Sequence, residues 1–259
     1  MKKSILTGVV VYLISAGAIA ETMTSGFYLS GKLGASAFRN SQNTASEAGT
    51  TVGALNWDMG KSQLENTSSS VFSPSIAVGY RYAGDWQQPV RAELAYQYFG
   101  QSEQAFSFRP SASGYWNGDA KNNFSLPATA EIRQKTKVNT LMVNAYYDFP
   151  LGNDITPYLM AGVGAAFVRH NIATASNVGG QALAEDSYSS KKTNLAWSFG
   201  AGVAWDATDN VSVEMGYAFT DAGDITTGWS ASNGIIKGDG EVHTKVQLHS
   251  IHAGVRYHF

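Results

Sequence analysis

Short segments in which apolar and polar residues alternate recur along the chain. The clearest runs from Val211 to Phe219, where every odd position is apolar and every even position is small or polar. A strand places these five apolar side chains on one face, whereas a helix would spread them around its circumference. Seven further segments fit the same pattern, at residues 27–33, 76–82, 90–96, 141–149, 159–167, 195–205 and 251–259. The sequence therefore predicts eight strands.

The connections between these segments alternate in length. Those after the second, fourth and sixth segments are short, with the sequences AGDWQQP, PLGNDI and ATDN. The other four, near residues 39–72, 103–135, 171–191 and 221–245, are long and rich in Ser, Thr, Asn, Gly and Asp. Structureless loops of that length are uncommon in compact soluble domains. The alternation instead favours an up-and-down barrel with short periplasmic turns and four long extracellular loops.

The composition of the two strand faces indicates which one meets lipid. In a secreted lipocalin-like barrel, the alternative fold, the polar face would meet water and carry many Lys and Glu residues. Here that face is mostly Gly, Ala and Ser with isolated charges, which suits a crowded lumen. Aromatic residues also gather at both ends of the strands, as in the girdles of outer-membrane barrels. We therefore predict an all-β fold, an eight-stranded antiparallel up-and-down transmembrane β-barrel whose apolar face looks outward.

The first twenty residues are typical of a secretory signal peptide. Lys2 and Lys3 precede an apolar run, and Ala18-Ile19-Ala20 forms a small-residue cleavage pattern. A membrane anchor would need a longer apolar run. We expect a signal peptide over residues 1–20, cleaved after Ala20, followed by a single barrel over residues 21–259. The protein would then be located in the outer membrane of a Gram-negative bacterium.

Composition excludes several kinds of site. The 259 residues include no cysteine, so there is no disulfide, thiolate zinc site or cysteine nucleophile. Only 15% of the residues are charged, and the net charge is −2. Nothing in this balance provides a basic field for a nucleic-acid backbone. We expect no nucleic-acid partner and no cofactor.

Six charged residues fall on the lumenal face of the predicted strands. In a narrow interior they should pair, because an unpaired buried charge is costly to desolvate. They would form either an internal plug or, as the alternative, the charged filter of a small pore. The set is Lys32, Arg81, Arg91, Glu93, Glu214 and Arg256.

Enzymatic and metal sites find less support. Ser187 or Ser189 could approach His170 from an adjacent strand, as in a lipid-modifying barrel enzyme, but no motif marks an orienting group or oxyanion donor. His249, His252 and His258 share the last strand without the spacing of a metal site. We expect neither catalysis nor metal binding. The glycine pairs at 162/164 and 200/202 lie within strands and should make room in the barrel.

Parts of the chain resemble a known family. The segments that show the resemblance are SIAVGYRY at 75–82, VNAYYDF at 143–149, TPYLMAGVGAAFVRH at 156–170 and HAGVRYHF at 252–259. They resemble the opacity (Opa-type) family of outer-membrane proteins, grouped with porin-like barrels and surface antigens. The resemblance implies an eight-stranded barrel whose loops, in some members, adhere to host receptors. The last strand also looks like the signal read by the barrel assembly machinery, carried here by Ile251, Ala253, Val255, Tyr257 and Phe259.

Together these features predict a surface protein that displays loops for adhesion to a host or matrix ligand. Aromatic side chains in the loops are the candidate contacts, because aromatic residues are enriched in recognition interfaces. The alternative for these side chains is packing within the loops. The alternative function is a narrow porin for small solutes or ions. The contact candidates are Trp57, Tyr115, Trp116 and Trp229.

Overall fold

A computed structural model describes residues 25–51, 55–63, 67–82, 88–109, 111–116, 123–151, 154–178, 180–182, 186–232 and 236–259. The expected signal peptide, residues 1–20, lies outside these. The described residues form a single antiparallel sheet that closes on itself. Its strands are β1 (Gly26–Thr51), β2 (Leu55–Gln63), β3 (Thr67–Phe72), β4 (Ser75–Arg81), β5 (Val90–Phe108), β6 (Ser111–Trp116), β7 (Asn123–Asp148), β8 (Ile155–Val178), β9 (Gln181–Ala182), β10 (Asp186–Thr208), β11 (Val211–Ser232) and β12 (Ile236–His258).

Eight of these strands make the ring. In order around the barrel they are β1, β4, β5, β7, β8, β10, β11 and β12, and β12 pairs with β1 to close it. Closure leaves the ring with no free edge, as a strand protein in hydrocarbon requires. The predicted eight-stranded up-and-down barrel is confirmed. Among the described residues, no helix has the length and apolar character needed to cross a bilayer.

The prediction of four long loops is wrong. The ring strands continue through most of those segments, and β2, β3, β6 and β9 add further ladders beside them. β7, for example, keeps its inward–outward alternation from residue 128 to residue 148. The loops looked irregular because the outward positions beyond the bilayer are polar rather than apolar, which hides the alternation. We call this continuation of the barrel the outer extension.

The apolar face of the ring points outward, as predicted. Leu33, Ile76, Leu141 and Leu195 are all exposed at the outer surface, while the alternate positions are buried. On β8 the apolar band runs from Ile155 to Phe167, roughly 40 Å along the strand, or about 30 Å after allowance for strand tilt. That height matches the apolar band of a membrane barrel.

The interior is filled in layers. Nearest the short turns lie Tyr146, Tyr158 and the charged residues, and above them follows a larger apolar cluster around Phe38, Phe99 and Leu248. Glycines inside the wall make room for these side chains. A Cβ at Gly162 would overlap the amide of Asn144, and one at Gly202 would overlap the hydroxyl of Tyr158. The expectation is met for Gly162 and Gly202, whereas the atom nearest a Cβ at Gly164 or Gly200 is a backbone carbonyl of the neighbouring strand.

Candidate functional site

Four of the predicted lumenal charges meet in the lower barrel. Lys32 comes from β1, Arg91 and Glu93 from β5, and Glu214 from β11, each at an inward-facing position. Lys32 Nζ lies 3.0 Å from Glu214 and 3.5 Å from Glu93, and Arg91 Nη1 lies 3.2 Å from Glu93. Charges from strands on opposite sides of the ring therefore bridge the lumen.

Arg91 is the centre of this cluster. It is fully buried, and its Nε donates to both carboxylate oxygens of Asp148, at 3.0 and 3.1 Å. Its guanidinium carbon stands 3.8 Å from the ring centroid of Tyr146 and 5.0 Å from that of Tyr158. Aromatic faces and carboxylates thus together stabilise the buried guanidinium in place of water.

The other two predicted members are not paired in the same way. Arg81 approaches His258, with Nη2 and Nε2 3.4 Å apart, and His258 in turn contacts Ser212. Arg256 is buried over the ring of Tyr28, and its Nε and Nη1 have no hydrogen-bond partner among the described residues. The expectation that all six charges pair with one another is wrong for these two, because the carboxylates are taken by Lys32 and Arg91.

Several members of the cluster were missed from the sequence. Asp148 shares the even phase of Asn144 on β7, and Tyr146 has the same phase, so both were detectable as inward-facing. Tyr146 donates to Glu93 at 2.7 Å and also receives a hydrogen bond from Lys32 at 3.2 Å. A buried tyrosine needs a polar partner, and a charged lumen supplies one.

The serine and histidine side chains considered for catalysis lie on opposite faces of the wall. His170 is buried inside, where Nδ1 lies 2.9 Å from Thr227 Oγ1 and Nε2 lies 3.0 Å from Gln134 Oε1. Ser187 and Ser189 are exposed on the outer surface. A nucleophile must reach its base directly, so this arrangement does not form a nucleophilic pair. In the described part of the chain, no three His, Asp or Glu side chains gather as a metal site.

Two of the aromatic contact candidates are buried. Trp57 is 3% and Trp229 6% exposed, each inside an apolar cluster of the outer extension. The expectation of exposed contacts is wrong for both. Glycines on neighbouring strands leave room for the indoles, since a Cβ at Gly49 or Gly240 would overlap a ring. Tyr115 is 46% exposed, and the side chain of Trp116 lies outside the described part of the structure.

A buried carboxylate lies between these tryptophans. Glu47, on β1, accepts a hydrogen bond from Ser176 at 3.2 Å, while its Oε1 has no partner among the described residues. It lines a cavity of about 10 Å³, room for one water molecule, together with Trp229 and Met59. Burial raises the pKa of Glu47 above its ordinary value, and the bond from Ser176 opposes this.

The last strand presents its alternate residues to the outer surface. Ile251, Val255, Tyr257 and Phe259 are all exposed large side chains, and Ala253 shares their face. Phe259 N donates to the carbonyl of Phe27 at 3.1 Å, which fixes the end of the chain at the barrel seam. These side chains are therefore placed where lipid or an assembly factor can reach them.

Comparisons with known proteins agree on one class. The family model described as outer membrane protein beta-barrel domain matches residues 7–259. The chain is 27% identical to the outer membrane protein PagN of Salmonella typhimurium, over 96% of this chain and 97% of that protein. It is 28% identical to a Rickettsia conorii protein named as a candidate adhesin, over 49% of this chain and 50% of that one.

Solved structures include similar barrels. Neisserial surface protein A matches with a TM-score of 0.43 and 18% identity, over 92% of this chain and 100% of that one. OprG from Pseudomonas aeruginosa matches with a TM-score of 0.42 and 16% identity, over 90% of this chain and 97% of that one.

Proposed function

The chain belongs to the outer membrane protein beta-barrel domain family, and from this premise we propose that it is an adhesin that binds a host or matrix ligand through its outer extension. The relative that matches over nearly the full length is an outer membrane protein, and others are named as candidate adhesins. We also propose a closer relationship to the opacity family. It rests on the four segments quoted above.

The outer extension is the observation that carries the proposal. On β8 the strand continues from Phe167 to Val178, roughly 36 Å along its axis and about 28 Å in height. Buried clusters around Trp57 and Trp229 stiffen this part. A rigid extension holds the outer ends of these strands well above the lipid headgroups, and a preorganised surface loses less entropy on binding.

The outer ends of the strands offer polar and aromatic contacts. β6 and the start of β7 form a hairpin that carries Tyr115, which pairs in register with Asn123 and lies near Asn56 of β2. A groove of about 970 Å³ runs beside these residues. Exposed tyrosine with neighbouring Asn and Ser is a composition suited to recognition.

Binding of intact cells to a host-cell and matrix panel tests the proposal. Shortening the β6–β7 hairpin should abolish binding, and Tyr115→Ala should weaken it. Thr129→Ala, an exposed position on β7 of the same extension, is the matched control and should bind as the wild type does. Equal binding by the shortened variant and the wild type would refute the adhesin proposal.

The lumen gives the porin alternative little support. Two filled layers, the charges around Arg91 and the apolar cluster around Phe99, are buried from water across the ring. An eight-stranded interior is about wide enough for side chains to fill. We propose that the protein conducts no solute and catalyses no reaction. Stable openings of the purified protein in planar bilayers would argue for the pore instead.

We further propose that the barrel assembly machinery recognises the last strand. The outward row from Ile251 to Phe259 supports this, because its side chains are accessible at the seam where β12 joins β1.

A further inference from the structure

Three cations lie in one row on the outer wall of the barrel. Lys137 on β7 pairs in register with Arg169 on β8, and Arg169 pairs with Lys191 on β10. All three side chains are exposed on the outward face. Neighbouring strands are about 4.8 Å apart, so the backbones of the three residues span roughly 10 Å.

Nothing within the described residues neutralises this row. None of the three makes an ion pair with a described carboxylate, and the next residue across the ladder from Lys137 is Gln101, which is neutral. Like charges directly opposite on neighbouring strands are unfavourable. The arrangement is therefore one that an external anion would stabilise.

The height of the row points to the kind of anion. One position below it on β8 is Phe167, the last large apolar side chain of the lipid-facing band, and Leu195 lies just below on β10. Arg169 follows Phe167 by two residues, roughly 6.6 Å along the strand. The cations therefore stand at the level of the headgroups in the outer leaflet.

Above the row the surface becomes a groove lined by both apolar and polar groups. It has a volume of about 710 Å³ and crosses β5, β7, β8 and β10, with Asn171, Ser187 and Ser189 among the outward residues that line it. Lys135 also lines the groove but is paired with Glu103 at 3.1 Å. Hydroxyl and amide groups in a groove suit the hydroxyls of a sugar.

We propose that this face binds a phosphorylated glycolipid of the outer leaflet. The chemistry of the wall follows that of such a lipid in order. Apolar side chains face its acyl chains, Lys137, Arg169 and Lys191 face its phosphates, and the hydroxyl and amide groups of the groove face its sugars. The site is independent of the proposed adhesion, since it lies on the flank of the extension and not at its tips.

The opposite side of the barrel provides a control. Arg39 on β1 is also an exposed, outward-facing arginine in the outer extension, but its ladder neighbours are Gln247 and Ser68, which are neutral. β1 and β8 are four strands apart in either direction around the ring. Arg39 therefore has the charge of Arg169 without the row or the groove.

Binding of bisphosphorylated lipid A to the folded protein in dodecylmaltoside micelles, measured by native mass spectrometry, tests the proposal. The triple variant Lys137→Ser, Arg169→Ser, Lys191→Ser should bind about 100-fold more weakly than the wild type, and Arg169→Ser alone about fivefold more weakly. Arg39→Ser should bind as the wild type does. Heat-modifiable migration shows that each variant is folded, and the single variant keeps the test valid if the triple one is not.

Three further ligands decide what is recognised. Dephosphorylated lipid A and phosphatidylglycerol should both bind more weakly than bisphosphorylated lipid A, because the first lacks the phosphates and the second lacks the sugars. Soluble polyphosphate should compete only weakly. The proposal is overturned if the single variant binds like the wild type, if Arg39→Ser is equally impaired, or if phosphatidylglycerol or polyphosphate binds as tightly as lipid A.

Discussion

Arg91 and Asp148 form an ion pair inside the barrel, in which Arg91 Nε donates to both carboxylate oxygens, at 3.0 and 3.1 Å. The two residues come from adjacent strands, and the pair closes one side of a network that reaches Lys32 and Glu214 across the lumen. The network joins β1, β5, β7 and β11, and β5 and β11 lie on opposite sides of the ring. It therefore braces the wall from within.

Removing one carboxylate tests whether water is excluded from this network of ion pairs. Glu214 is fully buried and lies 3.0 Å from Lys32 Nζ, so Glu214→Ala leaves a buried ammonium with one partner fewer. We expect a loss of about 3 to 5 kcal/mol in the free energy of unfolding. Urea unfolding in detergent, followed by heat-modifiable migration, measures this. Glu131→Ala removes an exposed carboxylate of β7 and should change little. An unchanged transition for Glu214→Ala would mean that water screens the network.

Much of the barrel could be predicted from the sequence because lipid on the outside and the packed lumen on the inside both impose an alternation of every second residue. Within the bilayer, hydrocarbon outside and a filled lumen inside force strict alternation, which marks residues such as Val213 and Glu214 unambiguously. Beyond the bilayer, water accepts any outward side chain. The strands continue there because each ladder extends the pairing below it. Their apolar residues, such as Ile132 and Ile172, lie on the inward face, so the pattern is opposite in phase to that of the bilayer segments.

The candidate site was only partly predictable for a related reason. The phase of a strand says which wall a residue faces but not which partner it meets across the lumen. Arg91 and Arg81 have the same phase on adjacent strands and even pair in register, yet only Arg91 contacts Asp148. The burial of Trp57 depends on Gly49 and Gly238 from two other strands, a contact that no local pattern reveals.

Phe259 should matter for assembly more than for stability. It is exposed at the end of β12, where it contributes no buried packing, so Phe259→Ala should leave refolding in detergent unchanged. If the assembly machinery reads this residue, the variant should lower the amount of folded protein in outer membranes severalfold. Phe27→Ala is a matched control, because Phe27 is an exposed aromatic residue on the neighbouring strand β1 at the same rim. Equal losses for the two variants would point to a general rim effect.

Gly240 supports the outer extension by leaving room for an indole. A Cβ at Gly240 would overlap the ring of Trp229 and lie 2.6 Å from the carbonyl of Ser46. Gly240→Ala should therefore cost about 1 to 3 kcal/mol of local stability through overpacking. Gly228→Ala, whose Cβ would meet only Gly240 O at 3.5 Å, should be tolerated. Limited proteolysis of the extension measures both, and heat-modifiable migration should show the membrane barrel intact in each. Equal resistance of the two variants to the protease would show that Trp229 or the neighbouring strand can move to accommodate the added methyl group.

Glu47 should make the outer extension more stable in acid. Burial raises its pKa in the folded protein above the ordinary value of 4.5, so the folded state holds the proton at pH values where the unfolded chain has released it. The free energy of unfolding must then fall as pH rises from that ordinary value through the raised one, with a slope of at most about 1.4 kcal/mol per pH unit. Glu47→Gln keeps an acceptor for Ser176 without a titrating group, so its stability should lack this slope. Hydrogen exchange of β1 and β8 amides across pH, corrected for intrinsic rates, reports the difference, with the exposed Glu131→Gln as the control. If wild type and Glu47→Gln show the same dependence on pH, the carboxylate of Glu47 is solvated and the cavity beside Trp229 is open to bulk water.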